Sequence, residues 1–474
     1  PELSTPDPRT PDPRTKDSRM HAIEDLAGFA ADHPRGALPV AVRDAIRDLV
    51  TDLLGAAAAG LHTPLATAAR GAAPALHGPG PCGVWFTGMG LSVAGAAMAN
   101  AAAASALDID DGHRGAAGHP GAGVIPAALA VGQALGSDDA AILDAIALGY
   151  DVALRVGASR PTGSFDTYAS GRWVGYGVAV AAGRLLELDA GAMAHAMAIA
   201  GAEGPISFAT GSSAYQGSTV KEAIPPAVVA GLTGAFRARA GATGPLDLLD
   251  RDDRFARVRL TGGLGADWAL LHCYLKPYAC CRYMHAAVDA IAALRQPGRP
   301  VVSLAIETFP QGLRLSNARR PATLEAGQYS YYFSCALAAL HGVTALQPVD
   351  PAWLHDADVL ALAERITLSA HADFADAFPV GTPCRVIVDH GDGPRALTVH
   401  HPLGDVANPM SRAQITDKFR RIAAANVPAA RRDAVLAALD GLTADGFAPL
   451  LAALKHDTTD TMTQQGGTTD ALLV

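Results

Sequence analysis

The stretch Leu91–Leu107 constrains this chain more than any other: it is long, apolar and dominated by alanine, and it stops at a carboxylate, Asp108. Small side chains let backbones approach closely, so such a run asks for closely packed helices. A β-sandwich would need larger branched or aromatic residues on its inner faces. Aromatic residues make up only 5% of the chain although half of it is hydrophobic, which points the same way. Ser92, Asn100 and Ser105 interrupt the run, and it reads as a buried helix, not a membrane span.

With 474 residues the chain is too long for one ordinary core, so two domains, or one with a second inserted into it, are expected. Residues 1–20 hold the repeat TPDPR-TPDPR and read as a disordered tail. From 21 to 270 the periodicity is helical. Val42, Ile46, Leu49, Val50 and Leu53 form one face, Ser137-Asp138-Asp139 opens the helix through Tyr150, Asp189 caps another, and Lys221–Ala240 reads as one more. From 271 to 403 strands appear. Val302, Leu304, Ile306 and Thr308 alternate with polar or small residues, and Ile366 and Leu368 suggest a second strand. Arg385–Asp389 and Ala396–His400 flank a hairpin turn at His390–Pro394. Helical patterns at Tyr329–His341 and Pro351–Glu364 lie between them. Ser411-x-x-Gln414 is a capping box that returns the chain to helix over 404–456, and 457–474 reads as a loose tail. The expected fold is mostly α, a large all-helical domain with an inserted smaller α+β lid domain.

A net charge of −9 argues against nucleic acid and anionic lipid as partners, though not against an anionic small substrate held by a local cluster of cations. The six cysteines form no CxxC pair, so neither a zinc ribbon nor an iron–sulfur cluster is expected; they read as reduced cytoplasmic thiols. No charged-then-apolar leader is apparent, and no GxGxxG or GxxxxGK[ST] loop supports a nucleotide.

Chemistry concentrates in two places. Leu107-Asp108-Ile109-Asp110-Asp111-Gly112-His113, followed by His119-Pro120-Gly121, joins three carboxylates and two imidazoles at a helix end. A carboxylate that orients and tunes an imidazole is what general acid–base catalysis requires. A solvated capping loop is the plain alternative. A metal site is the sharper one, and no tight ligand spacing supports it. Lys276-Pro277-Tyr278-Ala279-Cys280-Cys281-Arg282-Tyr283-Met284-His285 suits a carboxylate-binding wall, or a loop leading into the helix His285–Leu294. Neighbouring Cys280 and Cys281 cannot both face one ligand. Lys221 is a third candidate, and His195 reads as a satisfied core residue.

In this order the segments resemble the MmgE/PrpD family, which includes 2-methylcitrate dehydratase, cis-aconitate decarboxylase and iminodisuccinate epimerase. The likeness runs through Asp52-Leu53-Leu54-Gly55, Asn100 to Asp111, His119-Pro120-Gly121, Gly149-Tyr150-Asp151-Val152, Val220-Lys221, Gly241–Pro245, Lys276 to His285, Asn408-Pro409 and Lys418-Phe419. It implies a homodimer with no metal or organic cofactor and a site between the helical domain and the lid. Asp108, His119, Lys221, Lys276 and His285 then fall at or near site positions, with Cys281 beside them. The chain departs from the family where a Gly-Phe-His-x-Thr element is usual. Asp166–Trp173 stands there, with Tyr168 as the candidate replacement for the histidine. A second histidine is absent around Ile224-Pro225, and the tyrosine of a Phe-Ser-x-x-Tyr segment is displaced at Tyr329–Phe333.

The expected site therefore has His119, oriented by Asp108, as proton carrier, with Lys221 beside it and His285 or Tyr168 on the opposite face. Lys276, Arg282 and Cys281 would bind a small carboxylate. A dehydratase for a hydroxylated di- or tricarboxylate of the 2-methylcitrate type leads. An epimerase of an iminodisuccinate-like compound and a cis-aconitate-type decarboxylase follow, with a non-catalytic binding protein as the reading from another class.

Overall fold

The computed structural model describes residues 20–161, 169–205, 218–442 and 446–455, and within them the chain is mostly helical with small sheets. The first layer holds α1 (Ala22–Asp32), α2 (Val40–Gly60), α3 (Pro64–His77), α4 (Val93–Ser105), α5 (Gly121–Leu135), α6 (Asp139–Ser159), α7 (Val174–Leu185), α8 (Ala190–Glu203), α9 (Ile224–Arg239) and α10 (Arg257–Thr261). The alanine run is α4, packed against α2, α3, α5 and α9. A Cβ on Gly60 of α2 would fall 2.1 Å from the Ala103 carbonyl oxygen, so these two helices meet backbone to backbone. Small residues are thus what permits the approach. Asp138 and Asp189 cap α6 and α8, accepting the Ala141 and Ala192 N–H. No single described helix is long and apolar enough to cross a membrane.

Two short ribbons break the helical region. β1 (Pro79–Gly83) pairs with β2 (Gly90–Leu91), and β3 (Gly112–His113) pairs antiparallel with β4 (Cys273–Tyr274). β2, β3 and β4 are two residues each and have no periodicity to read, so nothing in the sequence foretells their pairing. The second ribbon ties the acidic loop to the start of the lysine segment. Gly112 is required there, because a Cβ would lie 2.5 Å from the Tyr274 hydroxyl.

After α11 (His285–Leu294) comes a four-stranded sheet, with β5 (Ser303–Thr308), α12 (Leu324–Gln328), α13 (Tyr331–His341), α14 (Ala357–Arg365), β6 (Thr367–Ala370), β7 (Cys384–Asp389) and β8 (Pro394–Val399). The order is β6-β5-β7-β8, with β5 and β6 parallel and the other pairs antiparallel. Leu304, Ile306, Cys384, Val386 and Val388 turn inward to α11 and α13, forming a second core cluster. The chain then returns to α2 through α15 (Arg412–Ile422), whose Ser411–Gln414 capping box is formed, and ends in α16 (Ala429–Asp440) and α17 (Phe447–Leu454).

Two helices differ from expectation. Pro351–Glu364 splits at Asp356, which caps α14 through the Val359 N–H after a 3-10 turn at Pro351–His355. Lys221–Ala223 does not belong to α9. Its residues have φ of 28°, 54° and 56°, left-handed values that no regular helix contains, and α9 starts at Ile224 with proline in its first turn.

Candidate active site

A cavity of about 370 Å³ lies where the helical layer faces the α+β segment. The turn after α4 supplies its floor. Asp108 (φ 54°) lines it, Asp110 is buried behind His119, and Ile109 between them buries its side chain in the second core. The Ile109 carbonyl accepts the Lys418 Nζ at 2.7 Å. Lys276 follows β4, so the β3–β4 pairing sets it beside His119. The turn Lys221–Ala223 is pressed onto the segment Ser170–Arg172, where a Cβ on Gly171 would lie 2.5 Å from the Ala223 oxygen. Non-glycine residues in left-handed backbone cost about 1–3 kcal/mol each and persist only where surrounding structure holds them. Asp108, Ala117 and Glu222 all line the cavity in that state.

Asp108 Oδ1 is the hub. It accepts Lys221 Nζ at 2.6 Å and Lys276 Nζ at 3.3 Å, and lies 3.3 Å from His119 Nε2. Lys221 also donates to the Tyr329 hydroxyl at 2.6 Å. His119 Nδ1 is 3.1 Å from Asp110 Oδ2 and 3.2 Å from Lys276 Nζ. Both neighbours cannot be satisfied by one proton. We assign the Nδ1 proton to Asp110, leaving Lys276 to direct its hydrogens at Asp108 and at Asp110 Oδ1, 3.6 Å away. Glu222 Oε1 approaches His119 Nε2 to 3.7 Å. Its Oε2 accepts the Ser170 hydroxyl at 2.6 Å and the Ser170 N–H at 3.2 Å.

Burial alone would neutralise these groups, and their mutual charges reverse that. Burial pushes Asp108 up, but Lys221, Lys276 and His119 outweigh it and hold the carboxyl well below its ordinary range. Asp110 is held low against burial by His119 and Lys276. Burial opposes charge on His119, but Asp110 and Glu222 prevail over it and over Lys276, so the ring titrates above its ordinary value. Lys221 and Lys276 are raised against burial, chiefly by Asp108. Three lysines and protonated His119 thus face Asp52, Asp108, Asp110 and Glu222, and a fifth buried carboxyl, Asp111, has no cation left. Burial with Asp110 and Asp52 raises it to about 7. Since the folded form holds this proton more tightly, Asp111 costs no stability in acid and costs progressively more as pH climbs to about 7. Asp111→Asn is therefore expected to flatten the decline between pH 5 and pH 8 by on the order of a few kcal/mol. Urea midpoints of parent and variant at the two pH values check this; parallel declines would refute it.

Of the residues singled out in the sequence, Asp108, His119, Lys221 and Lys276 come together in this one cluster, and Lys221 stands behind Asp108, outside the cavity lining. Cys281 lines the cavity while Cys280 is buried away from it. Burial, then Asp108, raises the Cys281 thiol to about 12, so it faces the cavity as a neutral thiol. Arg282 lines the cavity, but its guanidinium is committed to the Leu403 carbonyl at 3.0 Å, the Pro402 carbonyl and Asp405. His285 is not part of the lining. It is fully buried, its Nε2 3.1 Å from the Cys280 carbonyl, and burial with Arg282 depresses its pKa strongly. Its ring braces the Cys280–Arg282 turn instead of facing the cavity. Tyr168 lies outside the described residues. Sequence reading missed Glu222, Gln311 and Arg314, which also line the cavity. Gln311 and Arg314 sit three apart on the 3-10 turn Pro310–Arg314, a spacing that eclipses them on one face.

Asp108, Asp110 and His119 bring three ligand-type atoms within 4.8 Å of one another. Two ammonium groups already share these atoms, and a divalent cation there would meet Lys276 at contact distance. The donor set therefore fits a proton-transfer cluster better than a metal site.

The MmgE/PrpD N-terminal domain model matches residues 24–265 and the MmgE/PrpD C-terminal domain model residues 278–441. A cis-aconitate decarboxylase of Aspergillus terreus (strain NIH 2624 / FGSC A1156) is 27% identical over 462 residues, covering 88% of this chain and 92% of that protein. A cis-aconitate decarboxylase-like protein of Aspergillus oryzae (strain ATCC 42149 / RIB 40) is 23% identical over 436 residues, covering 83% and 89%.

Proposed function

The chain belongs to the MmgE/PrpD family, and on that premise we propose that it is a lyase for a small di- or tricarboxylate that works by acid–base catalysis without a cofactor, decarboxylating a substrate of the cis-aconitate type. The observation that carries this is His119, held as a proton donor by Asp110 with its Nε2 directed to a cavity that Lys276 also lines. In such a substrate one carboxylate sits on a carbon next to the double bond. As the C–COO bond breaks, its electron pair shifts through the double bond to the carbon beside another carboxylate. The His119 Nε2–H proton is delivered to that carbon, giving CO2 and an unsaturated dicarboxylate. Lys276 offsets the charge that develops on the remaining carboxylate, and Lys221 keeps Asp108 ionised and in place. Tyr274, Tyr283 and Phe378 provide an apolar wall, where a carboxylate gains by leaving as neutral CO2. Arg314 and the buried, unpaired Gln311 Oε1 offer polar positions for the rest of the substrate. We read residues 271–403 as an inserted lid that carries these groups.

A second reading, elimination of water from a hydroxylated di- or tricarboxylate of the 2-methylcitrate type, is favoured by Glu222. A carboxylate beside His119 is the second proton carrier that this reaction needs. Incubation with cis-aconitate, 2-methylcitrate, citrate and iminodisuccinate in D2O, followed by NMR, decides. Release of CO2 with one deuterium at the protonated carbon is expected. Alkene formation from a hydroxylated substrate would favour the second reading, and deuterium uptake without net loss an epimerase. Absence of turnover and exchange with all four would sink the proposal.

A further inference from the structure

His119 must be recharged with a proton after each turnover, and the way it is buried limits where that proton can come from. Its Nδ1 faces Asp110, which is wholly buried, so the route runs through Nε2. Two carboxylates are near that atom. Asp108 Oδ1 is closer, at 3.3 Å, but it is bound to two ammonium groups that keep it ionised, so it cannot hold a proton between turnovers. Glu222 is the other, at 3.7 Å. Of these two carboxylates near Nε2, it is the one with no lysine or arginine within ion-pair distance among the described residues. It lines the cavity, and Ser170 fixes its far oxygen with both hydroxyl and backbone N–H. The left-handed turn Lys221–Ala223 is what aims it there. A helix through these residues, as the sequence suggests, would carry Glu222 round with α9.

Resting on the lyase reading above, we propose that Glu222 is the proton relay of this site, taking a proton from cavity water and passing it to His119 Nε2. In the decarboxylation the His119 N–H bond breaks as the substrate C–H bond forms, and CO2 carries off the carboxyl carbon. The Glu222 O–H bond then breaks as the His119 N–H bond is restored, and water reprotonates the carboxylate. One proton enters from solvent for each CO2 released. In a dehydration the same pair would work in a closed cycle, with Glu222 removing the C–H proton, His119 protonating the leaving hydroxyl, and the proton then returning between them.

Glu222→Gln tests this, since the amide oxygen still accepts from Ser170 but the amide can neither give up nor take a proton in the working pH range. Expected are a fall in kcat of at least ~100-fold with KM changed by no more than about 3-fold, and partial recovery in formate or imidazole buffer. Glu222→Asp, which keeps a titratable group on a shorter arm, should fall between the two. A kcat within about 2-fold of the parent would overturn the relay, as would a loss that no buffer recovers. An independent readout is the NMR titration of the His119 ring, assigned by its absence in His119→Gln. Its pKa should drop in Glu222→Gln, because the Glu222 charge supports the protonated ring alongside Asp108, Asp110 and the opposing Lys221 and Lys276. If the parent turns over none of the four test compounds, the lyase reading fails and this titration alone decides the relay: a lowered His119 pKa supports it and an unchanged one overturns it.

Discussion

His119→Gln is expected to lower kcat by ~10²–10⁴-fold on the substrate that the D2O experiment identifies, the range that a positioned general acid contributes. Glutamine can still donate to Asp110, and the backbone N–H at 119 still donates to the Ser170 hydroxyl oxygen, so the fold should persist, as circular dichroism and an unchanged elution volume would verify. The loss should fall on kcat, because His119 acts on the charge that develops during reaction, while Lys276 and Arg314, which also line the cavity, would hold the substrate before and after it. A variant with parental kcat would remove His119 from the chemistry and with it the proton-donor assignment.

The second large effect is on stability. Lys418 on α15 donates to Asp52 on α2 at 2.5 Å and to the Ile109 carbonyl at 2.7 Å, and both side chains are about 1% exposed. Burial wins over Asp52 and lowers the Lys418 pKa, so the pair already bears a desolvation cost. Removing one partner leaves the other as an uncompensated buried charge, and Lys418→Met should destabilise the protein by about 3–5 kcal/mol in urea unfolding. Replacing both, Asp52→Leu with Lys418→Met, should recover most of that loss, since two apolar groups of similar size remove the charge altogether. If the double variant is as unstable as the single one, the loss reflects packing, not the stranded carboxylate. The pair also reaches the site. Lys418 holds the backbone between Asp108 and Asp110, so the double variant should regain stability without regaining full activity.

How far this was readable from the chain depended on the range of the interaction involved. Helices α2, α6, α8 and α15 announce themselves through apolar spacing and caps, which act within a few residues. The strands of the four-stranded sheet were legible for the same reason: Leu304, Ile306, Val386 and Val388 alternate with solvent-facing neighbours. His285 illustrates the opposite case. Its sequence neighbours are cations and tyrosines that suit a binding wall, yet the turn at Cys280–Arg282 rotates the ring into the second core. Glu222 was invisible because left-handed backbone at Lys221, Glu222 and Ala223 has no propensity signal. Nothing local rewards it; among the described residues it is held by contact with Gly171 and Ser170 and by the Lys221 bonds to Asp108 and Tyr329.

From sequence alone came the closely packed helical layer, demanded by an alanine run that can be buried only against other small residues. It also supplied Asp108, Asp110 and His119 as one polar segment within a dozen residues, although the reversal closed by the His113–Gly118 bridge is what brings the ring onto the carboxylates. The lysines are different. Lys221 and Lys276 lie 113 and 168 residues from Asp108, and they meet it through a two-residue ribbon and a strained turn. Which carboxylates keep their charge, which one is left protonated, and which can pass a proton follow from distances between these groups, and only the tertiary structure decides them. Coulomb energy and desolvation depend on where charges end up in space, and one chain order is compatible with many such placements.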